Sequence, residues 1–362
     1  MVYREDGAVR ERPKEFRGRE HFGFEDGVSQ PAIRGRANIG GQELFISKRN
    51  VDLTAQPEAS LYGRPGQTLI WPGEVLLGQP RSSPDPLMPG PLDQPSPQWT
   101  RNGSFLVFRR LRQDVGLFWR TMRATAAQLS QNGWKITDGE LAARLIGRWP
   151  SGAPVSRTPG GDNELLGSGP DANYANNYFK FDSDTQKIPV VKDDGLPFDD
   201  TFPMAAADPV GITCPLASHI RKVNVRDSGS DMGGNDATYI RRLLRIGIPY
   251  GTFLDEEEKY TEDPGDRGLL FLSIQASIED QFEFLQSSWM NDDSRPKMPG
   301  GNDMIVGQNT PAVNGRRRCT LIDPNLDTHE ISTADQWVIP TGGGYFFVPS
   351  IGAIREVLGR NP

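Results

Sequence analysis

Ser104-Phe105-Leu106-Val107-Phe108 is the stretch that decides the fold, an apolar run without Gly, Pro or charge that reads as a buried strand. Behind it Leu111, Val115, Phe118, Met122 and Leu129 recur at helical spacing, so a long amphipathic helix is expected to follow directly. Thr137-Asp138-Gly139-Glu140 then sets a hydroxyl three residues ahead of a carboxylate. That capping box opens a second helix through Leu141, Leu145 and Ile146, ended by Trp149-Pro150-Ser151-Gly152. Further along, Tyr239 to Ile246 reads as a strand ending at Gly247-Ile248-Pro249-Tyr250-Gly251, and Leu269 to Ile274 as a second buried strand. Ile278, Phe282, Leu285 and Trp289 form the core stripe of the next helix, and Gly344 to Val348 a last strand. Strand, helix, excursion, two strands, helix, strand predicts an α+β fold, an antiparallel sheet covered by helices on one face.

Two stretches resist regular structure. Seven prolines between Gln79 and Trp99 exclude both helix and central strand. Residues 151–210 are rich in Gly, Pro, Asp and Asn, and so long an irregular segment in a compact domain is usually disordered or functional. The chain has 362 residues, enough for two domains or one with heavy insertions, and shows no short internal repeat. A net charge of −7 argues against a nucleic-acid partner as the main function. No apolar run approaches the roughly 20 residues that a membrane span needs. Met1 to Asp6 has no apolar stretch, so no signal peptide is expected here; secretion would rest on a longer form that carries one. Two cysteines, Cys214 and Cys319, make neither a disulfide framework nor a zinc site. Asn102-Gly103-Ser104 fits the glycosylation sequon but abuts a core strand and reads as a chance match.

Three segments carry residues suited to chemistry. Gly23-Phe24-Glu25-Asp26-Gly27-Val28-Ser29-Gln30-Pro31-Ala32 holds one carboxylate, Asp26, on a turn between glycines. Gly27 and Gly23 there let the backbone turn and let a flat ligand approach closely. His219 lies in Cys214-Pro215-Leu216-Ala217-Ser218-His219-Ile220-Arg221-Lys222-Val223-Asn224-Val225-Arg226. Its imidazole suits either a structural core or an axial position on haem iron, with guanidinium groups nearby for haem propionates. Arg245 ends an apolar strand; on alternation it shares a face with Leu243 and Arg241, which means either an inward charge or a solvated edge.

Taken in order and spacing, these segments and Gly342-Gly343-Gly344-Tyr345-Phe346-Phe347-Val348-Pro349 resemble the dye-decolorising peroxidase family over nearly the whole chain. The long insertions at 78–100 and 151–210 resemble its fungal-type branch. The resemblance implies a haem b peroxidase, one haem per chain, of ferredoxin-like α+β build related to dimeric α/β-barrels. It implies Asp26 and Arg245 on the distal side and His219 as the proximal iron ligand. A carboxylate there moves a proton between the oxygens of hydrogen peroxide, and an arginine stabilises the charge that develops as they part. Asp303, with Asp292 as the fallback, resembles the acid that accepts from the ligand's other nitrogen, and Arg226 the propionate-binding arginine. Tyr250 and Trp289 resemble aromatics that relay oxidising equivalents to bulky aromatic reductants; Trp289 also fits the helix core.

Relatives of this type carry a whole ferredoxin-like domain ahead of the Gly-x-x-Asp-Gly turn, where this sequence has 22 residues. Residues 1–100 are therefore expected to form a haem-distal loop segment and linker, a remnant of that half. Residues 101–362 are expected to form the C-terminal haem-binding domain. The surface left by the missing half would be apolar and open to oligomerisation. The alternatives to a peroxidase are a truncated haem-binding module without turnover and a folded remnant that binds no haem.

Overall fold

The computed structural model describes residues 18–34, 66–83, 88–169, 172–184, 202–309 and 314–359, apart from positions 93, 96 and 263, with short strands at 45–48, 62–63 and 190–192. The terminal segment Met1 to Asp6 and parts of the 78–100 and 151–210 stretches lie outside the described residues.

The apolar run at 104 extends into a ten-residue strand, β1 (Ser104–Gln113). It is an inner strand of a four-stranded antiparallel sheet with β2 (Leu244–Tyr250), β3 (Gly268–Gln275) and β6 (Val338–Val348), in the order β6-β1-β3-β2. Between β3 and β6 the chain forms a separate hairpin, β4 (Arg317–Ile322) and β5 (Thr328–Thr333). The last strand of the main sheet thus lies beside the first, as a ferredoxin-like fold requires.

Helix α1 spans Val115–Gln131 and begins later than its apolar spacing indicated. Leu111 belongs to β1, where it pairs with Leu269. The boundary is set by Asp114, whose Oδ1 accepts from Leu117 N at 3.0 Å. Val115, Phe118, Trp119, Met122, Ala126 and Leu129 form the buried stripe of α1. Phe118 stacks on Phe22 with centroids 4.2 Å apart, so the segment around residue 22 joins the same core.

The N-cap half of the capping box forms: Thr137 Oγ1 accepts from Glu140 N at 3.1 Å, opening α2 (Asp138–Ile146), while the Glu140 carboxylate accepts from Arg144. Gly147 ends α2 earlier than the Trp149-Pro150 signal, in the left-handed region at φ +97. A β-carbon on Gly147 would also come within 2.3 Å of Ile220, so glycine lets α2 approach the short helix α3 (His219–Val223). Ser218, just before α3, donates to Arg144 O at 2.6 Å. The end of α2 thereby fixes the start of α3.

β2 starts at Leu244, not Tyr239, because Asn235–Arg241 forms a 3₁₀ helix. The expected shared face of Arg241 and Arg245 therefore does not exist; Arg241 pairs instead with Asp280 at 3.3 Å. The predicted helix after β3, α4, is present as two consecutive π-wound turns, Ile278–Glu283 and Leu285–Met290. Ser277 caps it by accepting from Asp280 N. Cys214 and Cys319 are both buried free thiols.

Candidate functional site

Residues 19 to 26 fold into a tight turn whose backbone N–H groups from Glu20 to Asp26 are all engaged. Gly23 N donates to Glu20 O, Asp26 N to Gly18 O and Glu25 N to Pro150 O. Gly23 and Gly27 both sit at positive φ, +101 and +78, where other residues are strained. This geometry presents Asp26 toward β2. Its Oδ1 accepts from Arg245 Nη1 at 2.7 Å, an ion pair that is part-buried on both sides.

Arg245 reaches Asp26 because β2 lays it on the face that includes Gly247, Ser273 and Val107 across the sheet. Gly247 is the opening in that face. A β-carbon there would lie 2.1 Å from Asp26 Oδ2, so the carboxylate occupies the space that a side chain would fill. Gln30 adds a second tie, accepting from Arg245 N at 3.2 Å and donating to Arg245 O at 2.6 Å. The side-chain amide holds the strand edge much as a neighbouring strand would.

On the other wall stands His219, first residue of α3. Its Nδ1 lies 2.7 Å from Asp303 Oδ2, and Asp303 is fully buried. Asp303 Oδ1 accepts from Ile305 N at 2.9 Å and Val306 N at 3.1 Å. Burial works against the charged form, but His219 and these N–H groups outweigh it and hold the Asp303 carboxyl below its ordinary value. An ionised carboxylate at Nδ1 fixes the ring tautomer, proton on Nδ1 and lone pair on Nε2. Asp292, the fallback, accepts instead from Ser294.

Asp26, Arg245 and His219 line one cavity of about 250 Å³. Its apolar walls include Leu269 and Phe271 from β3 and Leu285 and Met290 from α4. Arg226, Arg241 and Arg242 also border it. This donor set fits haem: one imidazole nitrogen without a partner among the described residues, apolar walls for a flat ring, and guanidinium groups at the border for its carboxylates.

The remaining candidates lie at varied distances from this chemistry. Arg226, at φ +51, donates to Asn177 O, Phe179 O and Asn177 Oδ1 and lies 3.6 Å over the Phe179 ring, so the protein itself holds its head group. Gly27 borders Asp26 but does not line the cavity among the described residues. Tyr250 is buried beneath Arg110, whose guanidinium lies 4.3 Å over its ring. Trp289 is 0% exposed, and its Nε1 donates to Asp231 at 3.0 Å.

Sequence reasoning passed over several contributors. Asn177, from the irregular 151–210 stretch, is a hub: its Oδ1 accepts from Ser29 Oγ at 2.7 Å, Arg226 Nη2 at 2.6 Å and Arg148 Nη2 at 3.2 Å. Lys222 donates to the carbonyls of Asp292 and Gly301, tying α3 to the loop that leads to Asp303. Burial lowers its pKa to about 8. The position of Lys222 one turn after His219 was the available signal.

No protein-family profile matches the chain. Individual proteins do. The chain is 32% identical over 357 residues to the dye-decolorizing peroxidase msp1 of Mycetinis scorodonius, covering 96% of this chain and 58% of that protein. It is 32% identical to dye-decolorizing peroxidase AauDyP1 of Auricularia auricula-judae, covering 95% and 57%. Among solved structures, an ancestral D-type dye decolorizing peroxidase superposes with a TM-score of 0.68 at 34% identity, over 96% of this chain and 64% of that one. A dye-decolorizing peroxidase in complex with 2,6-dimethoxyphenol superposes at 0.66 and 31% identity, over 96% and 65%. The chain thus spans somewhat under two thirds of the length of these relatives.

Proposed function

This chain is a homologue of the dye-decolorising peroxidases, of their fungal-like branch, and from that premise we propose that it binds one haem b and uses hydrogen peroxide to oxidise bulky phenolic or dye-like substrates. The observation that carries the reading is the Asp26–Arg245 pair facing the cavity that His219 also lines. Bound haem supplies the iron at which peroxide is reduced and the store of oxidising equivalents passed to the reductant.

The residues of the chain divide the remaining work. His219 offers Nε2 to the iron, and Asp303, by accepting from Nδ1, raises the donor strength of the ring. Asp26 takes a proton from the inner oxygen of peroxide and returns it to the outer one, acting as base and then acid. Arg245 pairs with Asp26 in the resting site and faces the negative charge that grows on the departing oxygen. Arg226 contributes positive charge at the cavity border for a propionate. Tyr250 and Trp289 are the proposed relay positions; Arg110 over Tyr250 leaves that ring near the sheet surface, whereas Trp289 lies in the core.

Residues 1–100 are read as the haem-distal segment and 101–362 as the haem-binding domain. Self-association of the chain is proposed through the open face of the sheet away from the cavity, where Ile246 and Phe346 are 57% and 51% exposed.

The test is peroxide-dependent oxidation of 2,6-dimethoxyphenol by the haem-loaded chain. Asp26→Asn is expected to slow it about 10²–10⁴-fold, the usual contribution of a general acid–base group. Turnover at the native rate in that variant contradicts the assignment of Asp26. A Soret band without any turnover in the native chain supports the haem-binding module instead.

A further inference from the structure

Six backbone N–H groups run from His21 to Asp26, and Glu20 satisfies three of them. Its carboxylate accepts from Phe22 N at 2.8 Å through Oε2 and from Phe24 N at 3.0 Å through Oε1. Its carbonyl accepts from Gly23 N at 3.0 Å. Oε2 also accepts from Gln113 Nε2, and Gln113 Oε1 accepts from His21 N at 3.4 Å. Gln113 is the last residue of β1. The turn that carries Asp26 is thus wrapped around one carboxylate and pinned through it to the sheet that carries Arg245.

We propose that Glu20 is the positioning residue of the distal site, a carboxylate clasp that sets where Asp26 stands relative to Arg245. The proposal rests on the reading of Asp26 as the group that handles the peroxide proton. Loop turns without such an anchor hold a side chain to looser tolerances than proton transfer needs, and a misplacement of about 1 Å can slow a reaction about 10²-fold. Among the described residues Glu20 has no ion-pair partner; β1 offers it the neutral amide of Gln113, and the charged group acting on it is Asp26 of its own turn. Burial first, and then Asp26, push the Glu20 carboxyl up to about 7.

Two consequences distinguish a positioning role from simple support of the fold. The single O–H of a neutral glutamic acid can rotate aside and leave a lone pair on each oxygen for the two N–H groups, whereas a glutamine's planar NH2 turns donors toward one of them. Ionisation of Glu20 places a second negative charge beside Asp26, where Arg245 must face growing negative charge, so the native rate falls through pH 7.

The experiment compares the native full chain with Glu20→Gln. Backbone hydrogen exchange at Phe22 and Phe24 is expected to quicken at least about tenfold in the variant, with α1 unchanged, whether or not haem is bound. With haem loaded, the Soret band is expected to stay, the reaction with hydrogen peroxide to slow about 10–100-fold, and the inflection near pH 7 to vanish. Unchanged exchange at the two amides overturns the clasp. Faster exchange with a native peroxide rate and pH profile overturns the positioning role. Should the amide variant not fold, Glu20→Asp, one methylene short, carries the exchange and rate comparisons. Native haem-loaded chain that ignores peroxide defeats the peroxidase reading, and the exchange result then judges the clasp alone.

Discussion

Asp26 Oδ2 stands 2.1 Å from where a β-carbon of residue 247 would be, so the Asp26–Arg245 pair depends on a missing methyl group as much as on its own charges. Gly247→Ala is therefore expected to displace Asp26 and slow the peroxide reaction about 10–100-fold. An unchanged rate in that variant would show that Asp26 does not need the space. Glu20 gives a second expectation at this scale. Its carboxyl is raised from 4.5 to about 7, so the folded chain binds the extra proton between those values. Its stabilising effect is complete below pH 4.5 and is lost as pH rises through 7, a change on the order of 3 kcal/mol. Denaturant unfolding of the native chain against Glu20→Gln should show that loss in the native chain alone; equal pH dependence would refute it. The family resemblance singled out Asp26, Arg245, His219 and Asp303, and the structure pairs Asp26 with Arg245 and His219 with Asp303. Gln30 and Gly247 lie in the motifs of that resemblance without an expected role, and Glu20 lies outside them. Their work is to bond backbone groups or to leave space, which residue type alone does not reveal.

At the scale of elements, apolar runs located every strand of the main sheet, and their ends were decided by side-chain caps. Leu111 sits at helical spacing from Val115, yet Asp114 captures Leu117 N and ends the strand between them. Tyr239 to Arg241 looked like strand because of apolar neighbours. The segment is instead held by buried Arg242, which donates to Val223 O and to Thr238 Oγ1, and by Gln281, which donates to Arg242 O. Such long-range ties have no local signature. The N-cap at Thr137 was legible because its bond is local. Thr137→Ala should cost about 1 kcal/mol in thermal unfolding, the usual value of a helix N-cap. No change in the midpoint would mean that tertiary packing alone holds α2. Ser218 and Gly147 make this consequential for the site, since α2 fixes the start of α3 and with it His219.

Across the whole molecule, the sheet has two unlike faces. One carries Arg245, Leu269 and Phe271 toward the cavity. The other aligns Leu106, Phe346, Ile274 and Leu244 across four strands, with Leu272 and Ile246 one row on. Ile274 and Val348 on that face are also exposed, by 36% and 38%. Contiguous exposed apolar patches of this kind mark interaction surfaces or aggregation liabilities. Sedimentation should show concentration-dependent association of the chain, relieved by Ile246→Glu with Phe346→Glu. A native chain that stays monomeric at high concentration would contradict this. The strand-and-helix order was legible in the sequence at this scale. Which sheet face would stay open was not, because strand alternation shows two apolar sides here and the packing of α4 and of the Asp26 turn chooses between them.

His219, whose Nε2 has no partner among the described residues, is the proposed ligand to haem iron, and titration of the full chain with haem tests this most directly. A Soret band is expected that saturates at one haem per chain and is lost or displaced in His219→Ala. A native chain that gives no such band, or an alanine variant with the native spectrum, would contradict it.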